Sequence, residues 1–176
     1  MLILITGGSA SGKSEFAEQT AMVLGGRRLY IATMQPFGAE AAERIQRHHT
    51  LRAGKGFDTV EQYVSAGSTP VAGYDTVLLE CLSNLLANEM YAPEGAAAAG
   101  KNPAQAVLEG IHCLSANVHL VVVTNEVFSD GIEYPEETAE YIRLLGMINQ
   151  ELAGYADAVA EVICGIPVWR KGHPGE

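Results

Sequence analysis

The sequence predicts an α/β fold in which a mostly parallel sheet lies between two layers of helices. Short apolar runs that suit buried strands alternate along the chain with longer segments of helical periodicity, which is the pattern of parallel sheets. A glycine-rich turn joins the first apolar run directly to the first helical segment. The chain has 176 residues, enough to bury one proper core, and we therefore expect a single domain over residues 1–176.

In the first half of the chain, each apolar run is followed by a helical pattern or a turn. Apolar runs of about five residues are typical of buried strands, and longer runs with apolar residues on one face are typical of helices. Gly25 and Gly26 end the first helical pattern, and Gly54 ends the second. The sequence predicts strands over 2–6, 29–33 and 76–79, an extended piece over 58–61, and helices over 13–24 and 39–52.

The second half of the chain continues the alternation. Residues 93–103 are rich in alanine and glycine and include Asn102, which predicts a mobile surface loop. Ligand-binding residues are expected at the carboxyl ends of the strands, where parallel sheets present them. The remaining elements are helices over 104–115 and 135–155, a strand over 119–124, and two closing strands over 158–164 and 166–169.

The turn after the first strand has the spacing G-x-x-x-x-G-K-S of a phosphate-binding loop. In such a loop the backbone N–H groups point at phosphate oxygens, Lys13 reaches the β- and γ-phosphates, and the Ser14 hydroxyl binds Mg²⁺. A helix that begins here adds its positive N-terminal end. The motif predicts a P-loop NTPase-type three-layer sandwich. The residues expected to bind the triphosphate are Gly7, Gly8, Ser9, Ala10, Ser11, Gly12, Lys13 and Ser14.

Acidic side chains follow two of the expected core strands. Glu80 comes directly after the strand over 76–79, and Glu126 follows the strand that ends at Thr124. A carboxylate at the tip of a core strand beside a phosphate loop can hold Mg²⁺ directly or through water. Glu80 and Glu126 are therefore both candidate metal residues beside Ser14, and the sequence leaves the choice open.

A histidine lies between two arginines in the second helical segment. Arg44, His48 and Arg52 are four residues apart, which places them on one face of a helix. Neighbouring cations favour the neutral, nucleophilic imidazole and also attract the phosphate that it would attack. A basic solvent-exposed face that happens to carry histidines is the simpler alternative.

Composition and charge exclude several classes of function. The net charge is −10, whereas proteins that bind nucleic acid usually have a basic face. Residues 1–55 hold seven of the eleven Lys and Arg and four of the 21 Asp and Glu, so we expect an anionic ligand against the N-terminal third. No apolar run has the length of a membrane span or a secretory signal, and the three cysteines lack metal-site spacing. We expect a cytoplasmic protein that binds a small molecule and binds neither nucleic acid nor membrane.

The chain resembles the bifunctional adenosylcobinamide kinase/adenosylcobinamide-phosphate guanylyltransferase family of cobalamin biosynthesis. The resemblance runs nearly end to end, and the pattern R-I-x-x-H-x-x-x-R is more particular to that family than the phosphate loop is. The matching segments are ILITGGSASGKS, YIAT, ERIQRHHTLR, Thr59 with Glu61, LLECL with Asn88 downstream, VVVTNEV followed by GI, GMINQELAGYAD and GIPVWRK.

The resemblance implies two reactions at one site and a homotrimer. The γ-phosphoryl group of ATP or GTP goes to the aminopropanol hydroxyl of adenosylcobinamide, and a histidine then takes GMP from GTP and passes it to adenosylcobinamide phosphate. By its place between Arg44 and Arg52 that histidine is His48, with His49 as its rival, and His48 and Lys13 are the implied catalytic residues. Beyond the phosphate loop, the implied nucleotide-binding residues are Thr33, Met34, Gln35, His49, Thr50, Leu51, Arg52, Glu61 and Glu80.

Three positions depart from the family's usual pattern. Ala10 replaces an arginine in the phosphate loop, Phe57 stands where a tryptophan is common, and Phe128 stands where a glycine usually follows N-E-V. These changes bear on nucleotide preference and on the efficiency of one of the two steps, and they leave Lys13 and His48 untouched. Two other functions stay open: a P-loop kinase of another small molecule with no covalent intermediate, and a nucleotide-dependent switch without turnover.

Overall fold

The computed structural model describes residues 1–36, 54–127 and 131–174. These residues form seven strands and four α-helices, together with a 3-10 turn at Ala66–Ser68. The strands are β1 (Leu2–Thr6), β2 (Arg28–Ala32), β3 (Phe57–Glu61), β4 (Thr76–Glu80), β5 (His119–Val123), β6 (Ala158–Ile163) and β7 (Ile166–Lys171). The helices are α1 (Lys13–Leu24), α2 (Leu82–Tyr91), α3 (Pro103–Ser115) and α4 (Glu136–Tyr155).

The seven strands of the described residues form one sheet in the order β3-β2-β4-β5-β1-β6-β7. Every neighbouring pair is parallel except β6 with β7, which form an antiparallel hairpin at one edge. The carboxyl ends of β1 to β6 therefore lie along one side of the sheet. Because β1 pairs with both β5 and β6, the loop that follows β1 is flanked by the ends of two other strands.

Helices cover the sheet on both faces, and each face has its own hydrophobic core. Successive side chains of a strand point to opposite faces, and β1 shows this alternation. Ile3 and Ile5 pack in the core beneath α1, which contributes Ala17. Leu2 and Leu4 pack in the core beneath α2, α3 and α4. The prediction of an α/β, three-layer sandwich with a mostly parallel sheet is confirmed.

The predicted elements within the described residues begin and end within two residues of the observed ones. The helix predicted over 39–52 lies outside the described residues. Within the part of the chain that the structure describes, no helix has the length and apolar character needed to cross a bilayer.

Helix α2 is an element that the sequence analysis does not predict. Its buried residues Leu82, Leu85 and Leu86 have helical spacing, but only Cys81 separates them from strand β4. No glycine or proline marks the change from strand to helix, so the two apolar runs read as one. The predicted loop that follows α2 is a run of turns, and Ala96 within it is buried.

Candidate nucleotide site

The phosphate loop, residues 7–14, turns tightly between β1 and α1. Gly12 directly precedes the helix with a φ of 91°, a left-handed conformation that glycine adopts without strain. Ala10 also lies in the left-handed region, with a φ of 56°, where a Cβ atom costs roughly 1–2 kcal/mol. The N–H of Ser11 donates to Gly8 O at 3.3 Å. The loop therefore curls back on itself immediately before the N-terminus of α1.

Lys13 is the first residue of α1, and its side chain folds back over the phosphate loop. Its Nζ donates a hydrogen bond to Gly8 O at 3.0 Å, and the residue is 9% exposed. The ammonium group and the N-terminal end of α1 are both positive and lie beside each other. Together with the loop's backbone they form a positively charged turn that would stabilise a bound phosphate group.

The hairpin of β6 and β7 packs directly against the phosphate loop. The N–H of Gly165, in the turn of the hairpin, donates to Ser11 O at 2.8 Å. A Cβ atom at Gly12 would lie 3.1 Å from the Cα of Gly165, and one at Gly7 would lie 2.7 Å from Val162 O. The glycines of the motif thus permit a close approach of backbone to backbone. The hairpin therefore packs against one side of the phosphate loop.

Three side chains from different elements meet at one carboxylate. Glu80 ends β4, and its Oε1 accepts a hydrogen bond from the hydroxyl of Ser14 in α1. Its Oε2 accepts a hydrogen bond from the Tyr30 hydroxyl in β2 at 2.9 Å. A hydroxyl and a carboxylate are hard oxygen donors, which are the ligands that Mg²⁺ takes beside a triphosphate. The donor set of Ser14 and Glu80 therefore fits a magnesium ion.

The carboxyl end of β5 also contacts the phosphate loop. The backbone N–H of Glu126 donates to Gly7 O at 3.1 Å, so Glu126 is fixed beside the loop through its backbone. Of the two candidate metal residues, Glu80 is the one whose carboxylate is hydrogen bonded to the Ser14 hydroxyl.

The residues after β2 continue the site along the sheet. Thr33 is fully buried, and its hydroxyl donates to Cys81 O at 2.8 Å and accepts from Cys81 N at 2.7 Å. Both functions of the hydroxyl are thus used to join the ends of β2 and β4. Burial raises the pKa of the Cys81 thiol. Met34 is half-buried, and Gln35 reaches the cavity described next.

A cavity of about 580 Å³ opens at the carboxyl ends of β2 and β3. Glu61 ends β3, and its Oε2 accepts a hydrogen bond from the Tyr63 hydroxyl at 2.6 Å. Partial burial, together with this carboxylate, raises the pKa of Tyr63 to about 12. The phenol therefore stays protonated near neutral pH and continues to donate to Glu61. The lining residues are Gln35, Pro36, Glu61, Gln62, Tyr63, Val64, Pro93 and Glu94.

The structure brings most of the predicted residues to one side of the sheet. The phosphate loop, Thr33, Glu80 and Glu126 lie around the ends of the central strands, and Gln35 and Glu61 share the cavity. Five predicted site residues lie outside the described residues: His48, His49, Thr50, Leu51 and Arg52.

Sequence reasoning missed Tyr30, Tyr63 and the hairpin as parts of the site. Tyr30 pairs with Leu78, and Ala32 pairs with Glu80. Leu78 and Glu80 are two residues apart in β4, so Tyr30 lies on the same face of the sheet as Glu80. That signal exists in the sequence only once β2 and β4 are known to be neighbours. Tyr63 lies two residues after Glu61 and had no motif to mark it.

A comparison with solved structures gives a distant similarity. The crystal structure of the RadB recombinase aligns with a TM-score of 0.45 and 16% sequence identity, covering 91% of this chain and 73% of that one.

Comparisons with known sequences give full-length matches. The bifunctional adenosylcobalamin biosynthesis protein CobU of Salmonella typhimurium (strain LT2) is 34% identical over 96% of this chain and 98% of its own. The protein of the same name from Escherichia coli (strain K12) is also 34% identical, with the same coverage. Pseudomonas aeruginosa has a bifunctional adenosylcobalamin biosynthesis protein CobP that is 28% identical over 97% of this chain. A family model described as CobU, cobinamide kinase / cobinamide phosphate guanyltransferase, matches residues 3–169. On these matches and the site geometry, the chain belongs to the cobinamide kinase / cobinamide phosphate guanyltransferase family.

Proposed function

We propose that this enzyme phosphorylates the aminopropanol hydroxyl of adenosylcobinamide and then joins GMP to the product, giving adenosylcobinamide-GDP. The family match over residues 3–169 supports this pair of reactions. The observation that carries the proposal is the meeting of the phosphate loop, Lys13 and the Ser14–Glu80 pair on one side of the sheet. Residues 1–176 would then act as one P-loop kinase/nucleotidyltransferase domain.

In the kinase step, the γ-phosphoryl group of ATP or GTP moves to the substrate hydroxyl. The bond between the γ-phosphorus and the bridging oxygen breaks, and its electron pair leaves with the nucleoside diphosphate. A bond from the hydroxyl oxygen to that phosphorus forms, and the hydroxyl proton passes to solvent. The backbone N–H groups of residues 7–14 would bind the triphosphate, and Lys13 would balance the charge on its β- and γ-phosphates. Ser14 and Glu80 would hold Mg²⁺, which supplies further charge neutralisation when bound, and Glu126 is the alternative to Glu80.

In the transferase step, we propose His48 as the nucleophile. An imidazole nitrogen attacks the α-phosphorus of GTP, and pyrophosphate leaves with the electron pair of the broken P–O bond. A phosphate oxygen of adenosylcobinamide phosphate then attacks the same phosphorus and releases the imidazole. The covalent GMP–histidine splits one difficult transfer into two easier steps. The support for His48 is its spacing from Arg44 and Arg52.

The cavity at the carboxyl ends of β2 and β3 is the proposed place of the guanine nucleotide's base. Carboxylate and amide side chains line it next to aromatic and proline rings, which suits a flat base with donors and acceptors at its edge. Gln35 and Glu61 lie in this cavity, with Thr33 and Met34 directly before it. His49, Thr50, Leu51 and Arg52 complete the proposed nucleotide-binding set.

The wider setting of the reaction is also part of the proposal. We propose a cytoplasmic homotrimer that acts on a small molecule and binds neither nucleic acid nor membrane. The net charge of −10 supports the exclusion of nucleic acid. Sedimentation equilibrium measures the oligomeric state, and a monomer at micromolar concentration would contradict the trimer.

Incubation with GTP labelled on the α- or the γ-phosphate tests the proposal. We expect α-label on the protein, labile to acid and stable to base, as a phosphorus–nitrogen bond requires. His48→Ala should lose this label, and the matched control His49→Ala should keep it. Label retained in His48→Ala would contradict the choice of nucleophile.

The same experiment separates the two alternative functions. Transfer of γ-label to a small alcohol without any labelled protein favours a simple P-loop kinase. Such kinases often bring several arginines to the transferring phosphate, whereas Arg143 is the only arginine in the sequence between Gly56 and Trp169. Nucleotide binding with no transfer of either label favours a switch.

A further inference from the structure

Three backbone segments line the cavity: residues 35–36 form its first wall, residues 61–64 its second and residues 93–94 its third. Helix α2 is hydrogen bonded to the chain at the first two walls. The side-chain amide of Asn88 donates one hydrogen bond to Thr33 O at 2.8 Å and another to Tyr63 O at 2.9 Å. Thr33 begins the segment that leads to Gln35 in the first wall, and Tyr63 belongs to the second wall. Asn88 itself does not line the cavity. One amide group thus sets the distance between the chain after β2 and the chain after β3.

The next residue of α2 extends this arrangement to the third wall. Glu89 is 2% exposed; its Oε1 accepts from Ser65 N at 2.6 Å and its Oε2 from Ala96 N at 2.8 Å. Ser65 directly follows the second wall, and Ala96 follows the turn whose Pro93 and Glu94 form the third wall. Asn88 and Glu89 together therefore connect all three backbone segments that line the cavity.

We propose that Asn88 is a positioning residue for the guanine base, acting through the walls of the cavity and not by contact with the nucleotide. The proposal rests on the proposed function, because it takes this cavity as the site of the base. Asn88 determines how far Gln35 and Glu61 stand from each other across the cavity. It should therefore control the affinity that the base adds and leave the affinity of the triphosphate unchanged.

The contacts explain why Asn88 should affect the binding of the base and not the binding of the triphosphate. The phosphate loop is held by Glu126 through its backbone, by Gly165 of the hairpin and by Lys13, and none of these bonds involves Asn88. Loss of the amide would leave the carbonyls of Thr33 and Tyr63 without this donor, which is unfavourable while they stay buried. The two walls can avoid that cost only by moving apart and admitting water.

Titration calorimetry with GTP and with inorganic tripolyphosphate tests the proposal. In the wild type, the ratio of the dissociation constants for tripolyphosphate and GTP measures how much the nucleoside adds to the binding affinity. Asn88→Asp removes both donors and places a carboxylate against two carbonyl oxygens, so we expect GTP to bind about tenfold or more weakly. The affinity for tripolyphosphate should change less than about twofold, since the loop's hydrogen bonds remain.

Asn117→Asp is the matched control. The Asn117 amide also donates to a backbone carbonyl, that of Cys113 at 2.8 Å, but it lies between α3 and β5 at the opposite side of the sheet. Both dissociation constants should stay at their wild-type values in this variant. Asn88→Ser removes the amide without adding charge and serves as the test if Asn88→Asp does not fold. It too should weaken the binding of GTP and leave the binding of tripolyphosphate unchanged.

Each outcome decides the matter. A selective loss of GTP affinity in the Asn88 variants supports the proposal. An unchanged ratio in both variants, or an equal loss for GTP and tripolyphosphate, overturns it while the proposed function stands. If the wild type binds GTP no better than tripolyphosphate, the guanine site itself is overturned and the role of Asn88 with it.

Discussion

The carboxylate of Glu80 joins three elements of the site at the scale of single residues. It ends β4, while its two oxygens accept hydrogen bonds from Ser14 in α1 and Tyr30 in β2. A carboxylate with both oxygens engaged has a fixed orientation and still has lone pairs for a cation. We therefore propose that Glu80 is the acid on which the kinase half of the chemistry depends most, with Glu126 as the alternative.

We expect Glu80→Gln to lower kcat for phosphorylation of adenosylcobinamide by roughly 100-fold, because an amide carries no charge to hold the cation. The Mg²⁺ concentration for half-maximal rate should rise as well. Tyr30→Phe removes one hydrogen bond and keeps the ring, so its loss should be smaller, about tenfold. Steady-state rates at varied Mg²⁺ measure both effects. A wild-type Mg²⁺ dependence in Glu80→Gln would shift the metal role to Glu126.

Single residues also show what a sequence can and cannot reveal about a site. Lys13 and Ser14 are predictable because their chemistry depends on spacing along the chain, which is read directly. Tyr30 and Asn88 are different, since their bonds cross between β2, β3, β4 and α2. Such contacts depend on strand order and register, and a linear pattern contains neither.

At the scale of elements, the phosphate loop depends on the β6–β7 hairpin. The two meet backbone to backbone at Gly12 and Gly165, with one hydrogen bond from Gly165 N to Ser11 O. A loop stabilised in this way keeps its N–H groups oriented before any ligand binds, which reduces the entropy lost on binding. The hairpin is therefore part of the site although it contributes no group of recognised chemistry.

The variant Gly12→Ala should weaken binding of tripolyphosphate by at least about tenfold. Its Cβ would lie 3.1 Å from the Cα of Gly165, and its φ of 91° is strained for alanine. Gly154→Ala is the control, because no atom lies within 4 Å of the added Cβ in helix α4; it should raise the free energy of unfolding by about 0.5–1 kcal/mol. Chemical denaturation and calorimetry give the two quantities. Unimpaired binding by Gly12→Ala would contradict a role for this contact.

The elements differ in how well the sequence predicts them. Helices α1 and α3 begin beside glycine, proline or asparagine, so their limits are marked locally. Helix α2 has the right spacing at Leu82, Leu85 and Leu86, yet it follows β4 without a marker. The spacing of apolar residues changes there from the period of a strand to that of a helix within one residue. A window of ten or more residues averages the two periods, so the boundary is not detected.

At the scale of the whole molecule, the strand order collects the site from distant parts of the chain. Strands β2, β4, β5 and β1 are neighbours in the sheet, and their carboxyl ends carry Thr33, Glu80, Glu126 and the phosphate loop. Alternation of strands and helices predicts a parallel sheet, and the right-handed crossover rule limits its topology. It does not determine which strands are neighbours, because that depends on how the helices pack on each face.

Since these strands form the centre of the core, ligand binding should stabilise the entire fold. GTP at 100 times its Kd should add about 2.7 kcal/mol to the free energy of unfolding, which raises Tm by roughly 5–10 °C for a chain of this size. Lys13→Ala should lose most of the shift. Lys101→Ala, an exposed lysine before α3, should keep it. Scanning fluorimetry measures the shift, and an equal shift in wild type and Lys13→Ala would contradict the role of Lys13.

The contact between the phosphate loop and the final hairpin has a consequence for biosynthesis. The ribosome makes the G-x-x-x-x-G-K-S motif of residues 7–14 long before it reaches Val162 and Gly165. Until the hairpin has been made, a nascent chain carries the motif without the backbone that packs against it. Fragments that end before the hairpin should accordingly bind tripolyphosphate more weakly than residues 1–176 do.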